Sequence, residues 1–325
     1  MDVMTSKMKI NLVLIIVIAF IIGWLSSILY IKSNNSKTPN SIRQNSPDFQ
    51  YINPLLFVDN SEENFSEYRP LESKINKYID DTVDKNNARK VSVYFRDLNT
   101  SHWGGVNENE LYAPSSMLKV AILISYLKLA EKNPDILNRK LEYNYKEQYQ
   151  EYYKPNKLKN GSYTVLEMLQ QMIIESDNTS MSQLVALHSD EIVKLYKDLK
   201  LPNIIDSNTD FMSTEDYSYI FRTLYNATYL RKNYSEQALK LLTFTKFDKG
   251  IVGGVGTTTK VAHKFGEHTI TYNGTVTERQ LHDCGIIYFP NKPYLLCIMT
   301  KGEDFTKLET IISDLSRIIF DFIKQ

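Results

Sequence analysis

From Met117 to Leu129 the chain is apolar on nearly every side, which predicts a buried helix, because a helix without a polar face has no surface to offer water. Pro114 pre-sets its start, and Ser115 and Ser116 stand where caps are expected. One residue is out of keeping. Lys119 lies one turn after Ser116, so both side chains leave the same face of the helix start. A serine hydroxyl is a poor nucleophile until a base takes its proton, and a lysine desolvated by apolar neighbours can be that base. Alone, the S-x-x-K spacing carries little, since a cap followed by a snorkelling lysine produces it too.

Helical and strand patterns around this segment fall into an order. Leu71, Ile75, Tyr78, Ile79 and Val83 recur at helical spacing, Val91 to Leu98 alternates as a strand, and Asn99-Thr-Ser turns it into a second strand around His102-Trp-Gly. The middle is helical. Thr164-Val-Leu-Glu167 has the form of a capping box, with Val165, Met168, Leu169, Met172 and Ile173 on one face behind it. Leu199 to Pro202 closes the next helix, and Ser213-Thr-Glu-Asp216 opens another through Tyr217, Ile220, Phe221 and Leu224. The last third returns to strand candidates at Lys260–Gly266, His268–Tyr272, Cys284–Phe289 and Tyr294–Met299. An amphipathic helix over Leu308, Ile311, Ile312, Leu315, Ile319 and Phe322 ends the chain. Two early strands plus three from among the later candidates imply an α+β fold: one five-stranded antiparallel sheet flanked by terminal helices, with an all-helical lobe beside it. The sheet lobe is expected over 67–115 and 257–325 and the helical lobe over 116–256. The cleft between them is the natural site.

Composition narrows the setting. The 325 residues carry 38 basic and 38 acidic side chains, so no electrostatic footprint for nucleic acid exists. Residues 12–31 hold no charge and are long enough to span a bilayer, so 1–32 reads as an uncleaved membrane anchor. Residues 33–66 read as a polar tether with an apolar island at Tyr51–Val58. Lysines flank the apolar run on both sides and leave its orientation open, but an N-terminal anchor usually exports the domain behind it. A single-pass protein with its domain outside the cell membrane is therefore expected. Cys284 and Cys297 flank an apparent hairpin, and two buried thiols are favoured over a bridge. His102, His188 and His282 show no ligand spacing, and His263 and His268 read as surface or packing residues, so no metal or cofactor is expected. Gly253-Gly254-Val255-Gly256 reads as a flexible turn.

Three short motifs then stand in order: Ser116-x-x-Lys119, Ser176-Asp177-Asn178 and Lys264-Phe265-Gly266. With Tyr163-Thr-Val-Leu-Glu before the second and Val261-Ala-His before the third, the set resembles the class A β-lactamase family of penicillin-recognising serine hydrolases. The resemblance implies that Ser116 forms an acyl-enzyme with β-lactams or peptidoglycan-like amides, Lys119 takes its proton, and Ser176 passes it to the leaving nitrogen. It also implies that Asn178 binds the substrate's side-chain amide, that Lys264 supports Ser176 and attracts a substrate carboxylate, and that the backbone N–H groups of Ser116 and Glu267 form an oxyanion hole beside Gly266. Two departures qualify this. Phe265 stands where the family usually carries a hydroxyl that helps hold the carboxylate. The stretch from Leu201 to Met212 has no glutamate to activate water; Asp206 and Asp210 are its only carboxylates, and both read as surface-turn residues. Slow deacylation is therefore expected. The competing reading is a non-catalytic cell-envelope binding module that keeps the fold.

Overall fold

A computed structural model describes residues 42–44, 47–57, 68–83, 88–145, 152–202 and 209–325. The apolar run 12–31, Asp206 and most of the expected tether lie outside the described residues. Among those described, no helix is long and apolar enough to cross a membrane.

The elements run β1 (Ile42–Arg43), β2 (Leu55–Phe57), α1 (Arg69–Thr82), β3 (Ala88–Asp97), β4 (Trp103–Val106), a 3-10 turn (Ser115–Leu118) and α2 (Lys119–Ala130). A second short turn (Pro134–Asn138) leads to the ribbon β5 (Lys140–Tyr143) and β6 (Gly161–Thr164), then α3 (Val165–Ile174), α4 (Asn178–Asp198), α5 (Thr214–Tyr225) and α6 (Lys232–Leu242). The chain closes with α7 (Ile251–Val255), β7 (Val261–Tyr272), β8 (Thr275–Ile287), β9 (Tyr294–Gly302) and α8 (Phe305–Ile323).

Five strands form one antiparallel sheet in the order β4-β3-β9-β8-β7, so strands from both ends of the chain meet at β3 and β9. The alternation of β3 places Val93 and Phe95 on one face and Tyr94 on the other. The first face is covered by α1 through Leu71, Ile75 and Ile79 and by α8 through Leu308, Ile312, Leu315 and Ile319. The second face meets the helical lobe, whose centre is α2. Nearly all of α2 is buried, as its unbroken apolar surface requires.

Four local features differ from the sequence reading, each for a physical reason. Neither Ser115 nor Ser116 caps α2: the chain enters through a 3-10 turn with Pro114 at its N-cap, and Ser115 sits at φ 49°. The candidates Lys260–Gly266 and His268–Tyr272 are one strand, paired along its length with β8, which itself begins well before Cys284. Gly253 and Gly254 lie in α7, not a flexible turn. A Cβ on Gly254 would come within 2.3 Å of the Ser313 carbonyl oxygen, so glycine is what lets α7 lie on α8. The β8–β9 register sets Cys284 opposite Cys297, and the two form a disulfide in place of the favoured free thiols.

The island at Tyr51 packs on the helical lobe, and polar residues before it do so as well. The Glu236 carboxylate on α6 accepts from the backbone N–H groups of Gln50 (2.7 Å), Tyr51 (2.8 Å) and Ile52 (3.0 Å). Arg43 Nη1 donates to the Asn53 carbonyl (2.6 Å) and to Asn226 Oδ1 (3.1 Å), and the Arg43 guanidinium lies over the Tyr225 ring. These bonds hold residues 42–44 and 50–53 against the domain.

Candidate active site

The site lies where the edge strand β7, the turn before α2 and the α3–α4 corner meet. The capping box forms as its sequence implies. Thr164 Oγ1 accepts from the Glu167 N–H, and the Glu167 carboxylate accepts from the Thr164 N–H, so α3 starts at a fixed residue and delivers its C-terminus to Ser176. Ser176 turns the corner at φ 58°, a left-handed conformation that costs a non-glycine residue on the order of 1 kcal/mol. Asp177 then caps α4 by accepting from the Ser180 N–H (2.8 Å) and Oγ (2.7 Å), and Asn178 is the first residue of that helix. Asp177 is fully buried, and Lys157 pairs with it at 3.3 Å. Its work is to hold the corner.

The serines and lysines of the three motifs converge here. Lys119 Nζ donates to Ser116 Oγ (2.7 Å), the Ser176 carbonyl (2.6 Å), Ser176 Oγ (3.1 Å) and Asn178 Oδ1 (2.6 Å). Lys264 Nζ donates to the same Ser176 Oγ (2.9 Å) and to the Phe265 carbonyl (3.0 Å). Both lysines are fully buried. Burial pushes the Lys264 ammonium well below the ordinary lysine value, and the charge of Lys119 pushes it the same way, against the weaker pull of Asp283 and Glu267. Asp283 is itself buried, bonded to His263 Nδ1 (2.8 Å) and to the Ile251 N–H (2.9 Å). His263 is thus neither a surface residue nor simple packing.

Gly266 is required by the packing of β7 on the turn before α2. A Cβ there would stand 2.5 Å from the Pro114 carbonyl oxygen and 3.2 Å from the Met117 nitrogen, so the chain's own turn occupies that space and β7 presses directly on the Ser116 segment. Glu267, the next residue, brings its backbone to the same corner. Its side chain does something the sequence did not signal. The carboxylate accepts from the N–H groups of Tyr152 (2.7 Å) and Tyr153 (3.0 Å), fastening a strap to β7.

The approach to Ser116 is equally fixed. Tyr112 forms an isolated bridge with Met212, the Ala113 N–H donates to Gln280 Oε1 (3.0 Å), and the Ala113 carbonyl is bonded to His282 Nε2 (3.2 Å). His282 Nδ1 accepts from the Thr300 N–H (3.2 Å), so the ring proton belongs on Nε2. Burial pushes the His282 pKa down to about 3 and keeps this ring neutral. Asp210 is exposed, as expected of a surface-turn residue, but it is bonded to the sheet. Its carboxylate accepts from Gln280 Nε2 (2.9 Å) and from Lys301. Among the described residues, no group of histidine, cysteine and carboxylate side chains could hold a metal ion.

Solved structures share this arrangement of lobes. TLA-3 extended-spectrum beta-lactamase is 20% identical, with a TM-score of 0.68 over 79% of this chain and 99% of that one. PBP-A is 19% identical, with a TM-score of 0.64 over 78% of this chain and 96% of that one; a point variant of it has been solved as the acyl-enzyme with penicillin G. A beta-lactamase from Chitinophaga pinensis is 18% identical, with a TM-score of 0.66 over 78% and 99% of the two chains. Identities this low speak for the fold alone. No curated protein matches the sequence. A family model decides the matter: the model of the beta-lactamase enzyme family matches residues 70–323, from the first terminal helix to the last, and the chain belongs to that family.

Proposed function

We propose that the chain is a serine acyl-enzyme former, with Ser116 as nucleophile and Lys119 as its base, that acts on β-lactams or peptidoglycan-like amides and releases the acyl group slowly. One observation carries the reading: Lys119 reaches Ser116 Oγ and Ser176 Oγ together, while Lys264 reaches Ser176 Oγ from the other side. Carbonyl oxygens only accept, so the Ser176 carbonyl and Asn178 Oδ1 hold two of the Lys119 N–H groups. The proton that Lys119 gives up to become the base is the one facing the hydroxyls. Ser116 Oγ attacks the amide carbonyl carbon and its proton passes to Lys119. The negative oxygen of the tetrahedral intermediate is held by the Ser116 and Glu267 backbone N–H groups; one such donor is worth roughly 3 kcal/mol. As the C–N bond breaks, Ser176 hands its proton to the leaving nitrogen and is reprotonated by Lys119, and Lys264 fixes the orientation of Ser176. Asn178, through its amide, borders the substrate side of the corner.

Slow release is supported by the lack of any glutamate between Leu201 and Met212 and by the engagement of Asp210 with Gln280 and Lys301. The apolar run 12–31 supports a membrane-tethered, extracytoplasmic domain, and the Cys284–Cys297 disulfide fits an oxidising exterior. The alternative, a non-catalytic binding module, draws its support from Phe265. Intact-protein mass spectrometry after mixing with penicillin G separates the two. A Ser116-dependent adduct, absent in Ser116→Ala, is the expected result; no adduct on the folded protein would sink the acyl-enzyme reading. Steady-state nitrocefin turnover on the order of 10 per second or more would remove slow release while leaving acylation intact.

A further inference from the structure

Lys264 ends in a sealed corner. An ammonium has three N–H groups. One points to Ser176 Oγ and one to the Phe265 carbonyl, while the Phe265 ring covers the nitrogen with its centroid 4.1 Å away. Phe265 does not move aside easily. It is buried, stacked on Phe247 (centroids 4.3 Å apart, planes 23° apart) and met edge-on by Tyr153 at 5.0 Å. The strap carrying Tyr153 is fastened twice, by the Glu267 carboxylate on two backbone N–H groups and by Tyr152 stacked on Phe305 at 4.5 Å.

Besides Lys264 and Lys249, whose ammonium lies over the Tyr152 ring and pairs with Glu309, the charges around this wall are carboxylates. Glu267 sits in it. Glu175 and Asp248 act on Tyr153: burial first, then these two carboxylates, push its phenol up to about 12. An anion arriving beside Phe265 therefore meets an occupied lysine, the edge of an aromatic cluster and three carboxylates. A neutral or apolar group meets the half-buried Tyr153 ring, whose remaining exposed surface it can cover, with the buried Phe265 ring fixed behind it.

We propose that Phe265 and Tyr153 are specificity-determining residues that select an acyl donor with no carboxylate on the side facing Lys264, so that the preferred substrates are amides or esters that are neutral there. The inference rests on Ser116 being the nucleophile, and it reverses the expectation that Lys264 draws in a substrate carboxylate.

The test compares two probes on the full chain, penicillin G and its methyl ester, by the second-order rate of adduct formation at Ser116. The wild type is expected to react with the ester at least as fast as with the acid. Phe265→Thr is expected to shift the rate ratio toward the acid by about tenfold or more, about 1.4 kcal/mol. Tyr153→Ala, at a half-buried position on the strap, gives the same direction of shift should Phe265→Thr fail to fold. An acid that acylates the wild type about tenfold faster than the ester overturns this proposal and leaves the acyl-enzyme reading standing. An unchanged ratio in folded variants overturns it as well. If neither probe labels Ser116, the acyl-enzyme reading falls and takes this proposal with it.

Discussion

Around Ser176, two buried lysines and two serines bond to one another through amines and hydroxyls, with backbone carbonyls and the Asn178 amide oxygen taking the remaining N–H groups. On the segment before Met212 the chemistry is reversed: Asp210 offers a carboxylate, but it is committed to Gln280 and Lys301 and ties the segment to the sheet. Both regions hold the Ser116 turn, the first from the α3–α4 corner and the second through Tyr112 and Ala113. The difference lies in what is left over for chemistry. Proton transfer between a serine and an amine needs both to be short of water and in contact, and the Ser176 corner meets that condition. Water activation needs a base facing the acyl carbon, and the Asp210 carboxylate is held toward Gln280 and Lys301 on the sheet.

Breaking the first region should have the larger effect. Lys119→Met keeps the volume and apolar surroundings of the side chain but removes the amine from Ser116 Oγ. Acylation by penicillin G is expected to slow by about a thousandfold, the usual scale for a lost general base. The thermal midpoint should move by only a few degrees, because losing the buried amine's desolvation cost offsets the donors lost to the Ser176 carbonyl and Asn178 Oδ1. Acylation within about threefold of the wild type would show that another group takes the Ser116 proton.

Much of the first region was legible in the sequence, and most of the second was not. The spacing of Ser116 and Lys119 and the capping box at Thr164 are local, so helix geometry alone predicts which side chains share a face. That one antiparallel sheet draws strands from both ends of the chain followed from the strand patterns there, whereas the order of those strands did not. What stayed hidden depends on contacts far apart in sequence. Glu267 reaches Tyr152 and Tyr153 more than a hundred residues away, and Glu236 collects three N–H groups from residues 50–52. No periodicity marks a carboxylate for such a task. The disulfide needed a register, and a slip of one residue would have put Cys284 and Cys297 on opposite faces. Gly254 looked flexible because its partner, the Ser313 carbonyl, belongs to a helix about sixty residues on.

Asp210→Asn tests the second region. Burial raises the Asp210 carboxyl, but hydrogen bonds from Gln280 and Lys301 outweigh it and hold the group below the usual carboxylate range. A carboxylate depressed in the folded state stabilises above its unfolded value, near 3.9, and that contribution is lost as pH falls through the folded value. The variant should therefore be less stable than the wild type at pH 7, with the gap closing toward pH 2 in urea titrations. The lifetime of the acyl-enzyme should stay within about twofold. A lifetime lengthened about tenfold would make Asp210 the releasing base and erase the contrast between the regions.

The smallest effect expected is that of Thr164→Ala, which leaves every motif residue in place and loosens only the start of α3. The lost cap should cost about 1 kcal/mol, or a few degrees in thermal midpoint for a domain of this size. Ser176 lies beyond the far end of that helix, and its position is set independently by Asp177, the cap of α4, and by the two lysines. Acylation should then be unchanged at temperatures well below the midpoint. A loss of acylation larger than the loss of stability would mean that the corner depends on α3 for its geometry, and that the strained backbone at Ser176 is held by the helix before it, not by the bonds it makes to Lys119 and Lys264.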